Sequence, residues 1–177
     1  MIRQSQPLCF WITGLSGTGK TTLSNFLAEY LRNSGKPTVL LDGDELRSVF
    51  GYKLFSKEKR LAFGMSYSRL CRLLVKQEIN VVIGVIALFK EIHTWNRENI
   101  EGYVEIFVDT PMDELIKRDP KYIYKKAMSG EISDVAGIDL EVDFPEDPHI
   151  HLHWEPVKDI DFMNNELLEK IGIWLQK

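Results

Sequence analysis

The chain has 177 residues, of which 44% are hydrophobic and 27% are charged, and its formal net charge at pH 7 is −4. This length favours one domain over residues 1–177, with enough apolar content for a full core. The weak negative charge gives no general electrostatic basis for nucleic-acid binding, and no stretch has the length of a membrane span. The N-terminus lacks the apolar region of a signal peptide. We therefore expect a cytoplasmic protein in which Cys9 and Cys71 are buried free thiols.

The N-terminal part predicts a strand, a glycine-rich loop and a helix. Leu8–Thr13 is a short apolar run typical of a buried strand, and apolar residues recur at helical spacing from Leu23 to Leu31. Between them stands G-L-S-G-T-G-K-T, a complete phosphate-binding loop. Its glycines let backbone N–H groups turn inward, and the helix N-terminus adds partial positive charge. The loop predicts binding of a nucleoside triphosphate, with ATP contacts from Gly14, Leu15, Ser16, Gly17, Thr18, Gly19, Lys20, Thr21 and Thr22.

Two residues of this loop have roles of their own. Lys20 is expected to neutralise the transferring phosphoryl group, and Thr21 to offer its hydroxyl to Mg²⁺.

Two aspartates follow the second predicted strand, Thr38–Leu41, which we expect to be buried near the first. At the end of that strand, Asp42 and Asp44 can both face the γ-phosphate. A carboxylate there can accept a proton from an attacking hydroxyl or hold Mg²⁺ through water. The alternative is helix capping, since Asp44 precedes a short helical sequence. Capping alone does not require two aspartates, so we favour the functional interpretation.

The rest of the chain alternates predicted helices and strands. The predicted elements are a helix over 57–78, strands over 79–86 and 103–108, a helix over 113–118 that stops before Pro120, an irregular acidic stretch over 131–148, an edge strand over 150–154 and a closing helix over 166–176. This alternation predicts an α/β fold with a doubly wound, mostly parallel sheet and ligands at the carboxyl ends of the strands.

Two further clusters allow more than one interpretation. The basic segment that begins at Arg118 and Lys121 is either a lid that brings arginine to the transition-state charge or a solvated helix face. His149, His151 and His153 alternate, so their side chains are expected to share one face of a strand. Metal binding by these histidines is possible in principle, but we favour a simple exposed edge strand.

Several motifs occur in one order along the chain: the phosphate loop, L-D-G-D-x-x-R, F-V-D-T-P, R-D-P-K-x-x-Y-K-K-A and G-I-D. In this order the chain resembles the adenylylsulfate kinase family over most of its length. The resemblance implies a P-loop kinase fold with a lid, a homodimer, and transfer of the γ-phosphoryl of MgATP to a ribose 3′-hydroxyl. Carried over by motif, Asp44 is the catalytic base with Asp42 in support and Asp42 also holding Mg²⁺ through water. Lys20 and Arg118 complete the catalytic set.

The chain departs from the family pattern on the acceptor side. That pattern has a Phe that stacks on the acceptor adenine, followed by R-x-x-N-x-R-R. Phe55 and Arg60 match its start, whereas Phe63, Met65 and Ser66 stand in place of the Asn and the Arg pair. The family's I-S-P segment becomes Ile86-Ala87-Leu88, a second stacking Phe becomes Val135, and Gly-Leu within the lid motif becomes Tyr122-Ile123. The predicted acceptor-binding residues are Arg47, Phe55, Arg60, Phe63, Leu88, Phe89, Lys121, Val135, Gly137 and Ile138.

These departures spare the ATP side and predict a different acceptor. Each lost Arg removes charge-assisted contacts worth about 1.5–3 kcal/mol, and a lost aromatic forfeits about 1–3 kcal/mol of base stacking. We expect a nucleotide whose base and terminal group differ from adenine and sulfate, and the cytidine diphosphoramidate kinases of capsule modification are similar enzymes. The first alternative is a genuine adenylylsulfate kinase in which other residues compensate. The second is a non-catalytic nucleotide switch, although the guanine-selecting N-K-x-D motif is absent from the sequence.

Overall fold

A computed structural model describes residues 6–51 and 56–176. In chain order the elements are β1 (Cys9–Thr13), α1 (Lys20–Asn33), β2 (Thr38–Asp42), α2 (Gly43–Phe50), α3 (Lys57–Val75), β3 (Asn80–Val85), α4 (Lys90–Asn99), β4 (Tyr103–Asp109), α5 (Met112–Arg118), α6 (Ile123–Met128), β5 (Ile150–His153) and α7 (Ile160–Leu175). That residues 1–177 form one domain stays a prediction.

The strands form one five-stranded sheet in the order β2-β3-β1-β4-β5. All of its neighbouring strands are parallel, which confirms the predicted doubly wound α/β fold. Strand β1 lies at the centre, so the loop that follows it opens at the carboxyl edge, where ligands bind in such sheets. The second strand is less buried than we expected. Strand β2 is half-buried along its whole length, because it is an edge strand with β3 on one side.

Helices cover both faces of the sheet. Apolar residues of α1 and α7, such as Leu27 and Leu167, pack against one face, and α3 and α4 cover the other. Cys9 and Cys71 lie in this second layer as buried, unbridged thiols, as expected. Within the described residues, no helix combines the length and the apolar character that a membrane crossing requires.

Helix α4 has no counterpart among the sequence predictions. Its buried residues are Ile92, His93 and Asn96, so two of the three inward positions are polar and the apolar period is broken. His93 is paired across the core. His93 Nδ1 lies 2.7 Å from Glu105 Oε1, and Arg97 also contacts this fully buried carboxylate. Burial acts to raise the pKa of Glu105, but hydrogen bonds from His93 and Arg97 outweigh it and lower the pKa.

Candidate active site

The phosphate-binding loop connects β1 to α1 at the carboxyl edge of the sheet. Gly14, Gly17 and Gly19 have φ angles of 153°, 83° and 95°, which side chains other than glycine rarely adopt. A Cβ atom on Gly14 would collide with the carbonyl oxygen of Val108 in β4. The loop therefore lies directly on the neighbouring strand, and glycine is required where the two backbones meet.

Lys20 is the first residue of α1, and its side chain folds back over the loop. Its Nζ donates a hydrogen bond of 2.6 Å to the carbonyl oxygen of Leu15. Burial, reinforced by the positive charge of Lys121, lowers the pKa of Lys20 to about 7, although Asp42 acts in the opposite direction. In the free protein this lysine is therefore easier to deprotonate near neutral pH than an ordinary lysine. An incoming phosphate would favour its charged form.

Asp42 has two structural partners at the end of β2. Its Oδ1 accepts hydrogen bonds from the backbone N–H groups of Asp44 at 2.8 Å and Glu45 at 3.4 Å, so it caps α2. Its Oδ2 accepts a hydrogen bond of 3.1 Å from Thr21 Oγ1. The sequence analysis considered capping at Asp44, whereas Asp42 is the residue that caps the helix. A residue that caps a helix can still take part in the active site. A hydroxyl and a carboxylate at this distance are the oxygen ligands that Mg²⁺ prefers, so the pair fits that ion.

Asp44 lies in the first turn of α2 and its side chain is 52% exposed. Its carboxylate forms ion pairs with Arg47 and with Lys121, which the chain supplies from the segment after α5. The two cations orient an accessible carboxylate beside the phosphate loop. A cavity of about 290 Å³ joins these groups and is lined by Ser16, Gly17, Gly19, Lys20, Thr21, Asp42, Gly43, Asp44, Arg47, Gly84, Val85, Ile86, Pro120, Lys121 and Ile123.

Arg118, at the end of α5, contacts the phosphate loop. One of its guanidinium nitrogens donates to the carbonyl oxygen of Gly17 at 3.4 Å, and its Nε pairs with Glu114 at 3.0 Å. The guanidinium carbon also lies 4.7 Å from the ring centre of Trp154. These contacts place Arg118 beside the phosphate-binding loop, although it is not among the residues that line the cavity.

Tyr124 joins helix α6 to the phosphate loop, a contact that our sequence reasoning missed. Its hydroxyl donates a hydrogen bond of 2.7 Å to the carbonyl oxygen of Ser16. Burial, followed by the charge of Asp119, raises the pKa of Tyr124 to about 12, so the hydroxyl stays a donor at neutral pH. The available signal was the Tyr of R-D-P-K-x-x-Y, which we used only as part of the motif.

A second, mostly apolar pocket adjoins the phosphate cavity and shares Arg47, Val85 and Ile86 with it. It is lined by Arg47, Arg60, Phe63, Gly64, Tyr67, Val85, Ile86, Ala87, Leu88, Phe89, Ala136, Leu140 and Val142. Five of the predicted acceptor residues lie here, namely Arg47, Arg60, Phe63, Leu88 and Phe89. Gly64 and Tyr67 also line the pocket, and sequence reasoning did not single them out.

The structure does not bring the other predicted acceptor residues into this pocket. Lys121 lines the phosphate cavity, and Phe55 lies outside the described residues. Val135 packs in a buried cluster that includes Leu15 and Leu88. Gly137 lies against the side chains of Leu15 and Met112, and Ile138 is 38% exposed.

Residues 6–153 match the adenylylsulphate kinase family. The chain belongs to this family. Among its relatives, it is 38% identical over 143 residues to a cytidine diphosphoramidate kinase of Campylobacter jejuni, covering 81% of this chain and 84% of that protein. It is 41% identical over 150 residues to an adenylyl-sulfate kinase of Aeromonas hydrophila, covering 83% and 76% respectively. A solved APS kinase of Mycobacterium tuberculosis, in complex with AMPPNP and APS, superposes with a TM-score of 0.86 at 29% identity, covering 96% and 99%.

Membership of the adenylylsulphate kinase family confirms the predicted reaction class. The protein is a kinase, a phosphotransferase that acts on a hydroxyl group and uses ATP. The two curated relatives have different acceptors in their names while their identities differ by three percentage points, 38% against 41%. Identity alone therefore does not select the acceptor.

Proposed function

We propose that the enzyme transfers the γ-phosphoryl of ATP to the ribose 3′-hydroxyl of a cytidine nucleotide, with cytidine diphosphoramidate as the preferred acceptor. The size and lining of the apolar pocket carry this proposal. The pocket beside Arg47 encloses about 50 Å³ and has Phe63, Tyr67 and Phe89 in its wall. A one-ring pyrimidine needs less opening of such a pocket than a two-ring purine, and the aromatic wall offers faces for stacking.

Two residues of α3 support a different terminal group on the acceptor. Met65 and Ser66 stand where the family resemblance implies an Arg pair. Met65 packs against the apolar layer, and the Ser66 hydroxyl donates to the carbonyl oxygen of Ala62 at 3.0 Å. A sulfate has only acceptor oxygens and benefits from arginine donors. A terminal phosphoramidate has N–H donors of its own and fewer acceptors to satisfy.

The same groups suggest how the transfer proceeds. Asp44, held by Arg47 and Lys121, accepts the proton of the attacking 3′-hydroxyl. Lys20 and Arg118 face the charge that develops on the transferring phosphoryl. Mg²⁺, held by Thr21 and through water by Asp42, would neutralise phosphate charge, and the 3.1 Å contact between these two side chains supports this assignment.

Measuring ADP release with each acceptor tests the proposal. We expect kcat/KM to be at least about tenfold higher for cytidine diphosphoramidate than for adenylylsulfate, which corresponds to about 1.4 kcal/mol of discrimination. Equal or faster turnover of adenylylsulfate would overturn the acceptor assignment and leave the kinase class intact.

An adenylylsulfate kinase is the second candidate, because the chain also resembles the adenylyl-sulfate kinase of Aeromonas hydrophila over 83% of its length. The same measurement distinguishes it from the first.

We propose in addition that the kinase is a homodimer, as the family resemblance implies. Sedimentation equilibrium should give twice the chain mass of 20.5 kDa, and a monomer at assay concentrations would contradict this.

A further inference from the structure

Strands β4 and β5 end side by side with three metal-ligating side chains. The parallel register pairs Asp109 with His153 and Phe107 with His151. Along β5, Ile150 and Leu152 are buried whereas both histidines are exposed, so the two imidazoles share the outer face of the sheet. The topology therefore places two histidines and one carboxylate together at the carboxyl end of the sheet.

The ligating atoms have the spacing of a metal site. Asp109 Oδ2 lies 3.3 Å from His151 Nε2 and 3.2 Å from His153 Nδ1. All three ligand atoms lie within 4.8 Å of one another. In a tetrahedral site with metal–ligand bonds of about 2.0–2.1 Å, neighbouring ligand atoms lie about 3.3 Å apart. The two Asp–His distances match that geometry.

We propose that Asp109, His151 and His153 bind one borderline divalent metal ion of the zinc class. Imidazole nitrogen suits Zn²⁺, Ni²⁺ and Cu²⁺, whereas Mg²⁺ prefers oxygen ligands, so this site is distinct in chemistry from the one at Thr21 and Asp42. The side chains of Asp109, His151 and His153 are 37%, 50% and 54% exposed, which leaves an entry path. Three protein ligands leave a fourth position for water.

His149 is not part of this cluster, although it belongs to the same alternating sequence. Its Nδ1 accepts a hydrogen bond of 2.9 Å from the backbone N–H of Glu105, and its ring packs against Tyr103 and Trp174. We expected all three side chains to share one face of a strand, but β5 begins at Ile150, so only His151 and His153 lie on it. His149 provides a matched control on the same segment.

The position of the cluster connects it to the donor side of the active site. The backbone N–H of Trp154 donates to the carbonyl oxygen of Asp109 at 2.8 Å. Trp154 in turn lies under the guanidinium of Arg118. A metal that joins the ends of β4 and β5 is therefore expected to stabilise this corner of the fold against unfolding.

Zinc titration of the chelator-treated full-length protein tests the site, without nucleotide because ATP itself binds metals. Calorimetry should show one equivalent of Zn²⁺ bound to the wild type and to His149→Gln, with excess Mg²⁺ unable to compete. His153→Gln and the double variant His151→Gln/His153→Gln should lose at least about tenfold in affinity, since even outer-shell changes at metal sites cost that much. Circular dichroism checks that each variant is folded.

One spectroscopic and one thermal measurement complete the test. Co²⁺ substitution should give the visible absorption of a tetrahedral ion in the wild type, and Zn²⁺ should raise Tm in the wild type but not in the double variant. Absence of saturable Zn²⁺ binding by the wild type would overturn the proposal. Equal binding by the wild type and the folded double variant would also overturn it.

Discussion

The donor and acceptor sides of this site are built from different parts of the chain. On the donor side, backbone geometry does most of the positioning: Gly14 allows the loop to lie on β4, and Lys20 bonds to the carbonyl oxygen of Leu15. On the acceptor side, the pocket wall consists largely of side chains, among them Phe63, Tyr67 and Phe89. Enzymes with a phosphate-binding loop of this kind hold the triphosphate through similar backbone geometry, whereas an acceptor pocket changes with each side chain in its wall.

The largest expected effects come from substituting Asp42 and Asp44, which lie between the donor and acceptor sides of the site. Asp44→Asn should lower the rate of transfer by about 10²–10⁴, because the general base is lost, while the affinity for MgATP changes little. Asp42→Asn should instead weaken MgATP binding, because its carboxylate contacts Thr21. Single-turnover transfer and equilibrium nucleotide binding measure the two effects separately.

Glu45→Gln is the control for Asp44→Asn, since it changes an exposed carboxylate in the same turn of α2 and should leave both measurements unaffected. If Asp44→Asn abolishes nucleotide binding, Asp44 belongs to the donor side and is not the base.

A smaller effect is expected from opening the acceptor pocket. Phe63→Ala removes an aromatic wall and enlarges the pocket, so the preference for a cytidine over an adenine acceptor should fall by about 10–200-fold. The ratio of kcat/KM values for the two acceptors measures this preference, and the KM for ATP should not change. Leu61→Ala on the same helix is a matched control, because Leu61 does not line the pocket. An unchanged ratio in Phe63→Ala would show that the base does not bind beside this ring.

The two sides also differ in how far the sequence alone predicts them. The phosphate loop was predicted residue by residue because its spacing follows from backbone requirements. The contact of Tyr124 with the phosphate loop and the pocket residue Tyr67 were not singled out, since a buried Tyr at helical spacing is equally typical of a core. Helix α4 was missed for a related reason: the polar residues His93 and Asn96 occupy its inward face, and His93 is paired with Glu105 on a different element. A hydrogen bond between residues on different elements leaves no periodic pattern in the sequence of either one.

The low pKa of Lys20 predicts a pH effect on the donor side alone. The charged amine binds phosphate, and in the free protein its pKa is about 7, so deprotonation competes with binding as the pH rises above that value. Between pH 7 and pH 8, the affinity for MgATP should fall about fivefold, with proton uptake on binding. Calorimetry in buffers of different ionisation enthalpy measures both quantities.

Lys20→Arg should make the affinity for MgATP independent of pH in this range, because a guanidinium stays charged. A wild-type affinity that is equal at pH 7 and pH 8 would show that Lys20 keeps its charge in the free protein.

The smallest expected effect concerns the hydrogen bond between Tyr124 of α6 and the phosphate loop. Tyr124→Phe removes the donor to the carbonyl oxygen of Ser16 and keeps the buried ring, so it should weaken MgATP binding by about 0.5–1 kcal/mol, a few-fold in Kd. The KM for the acceptor should stay constant, because Tyr124 does not line the acceptor pocket. Tyr122→Phe, on an exposed ring of the same segment, is the matched control. If Tyr124→Phe changes the acceptor KM instead, α6 is coupled to both sides of the site and the division between donor and acceptor contacts does not extend to this helix.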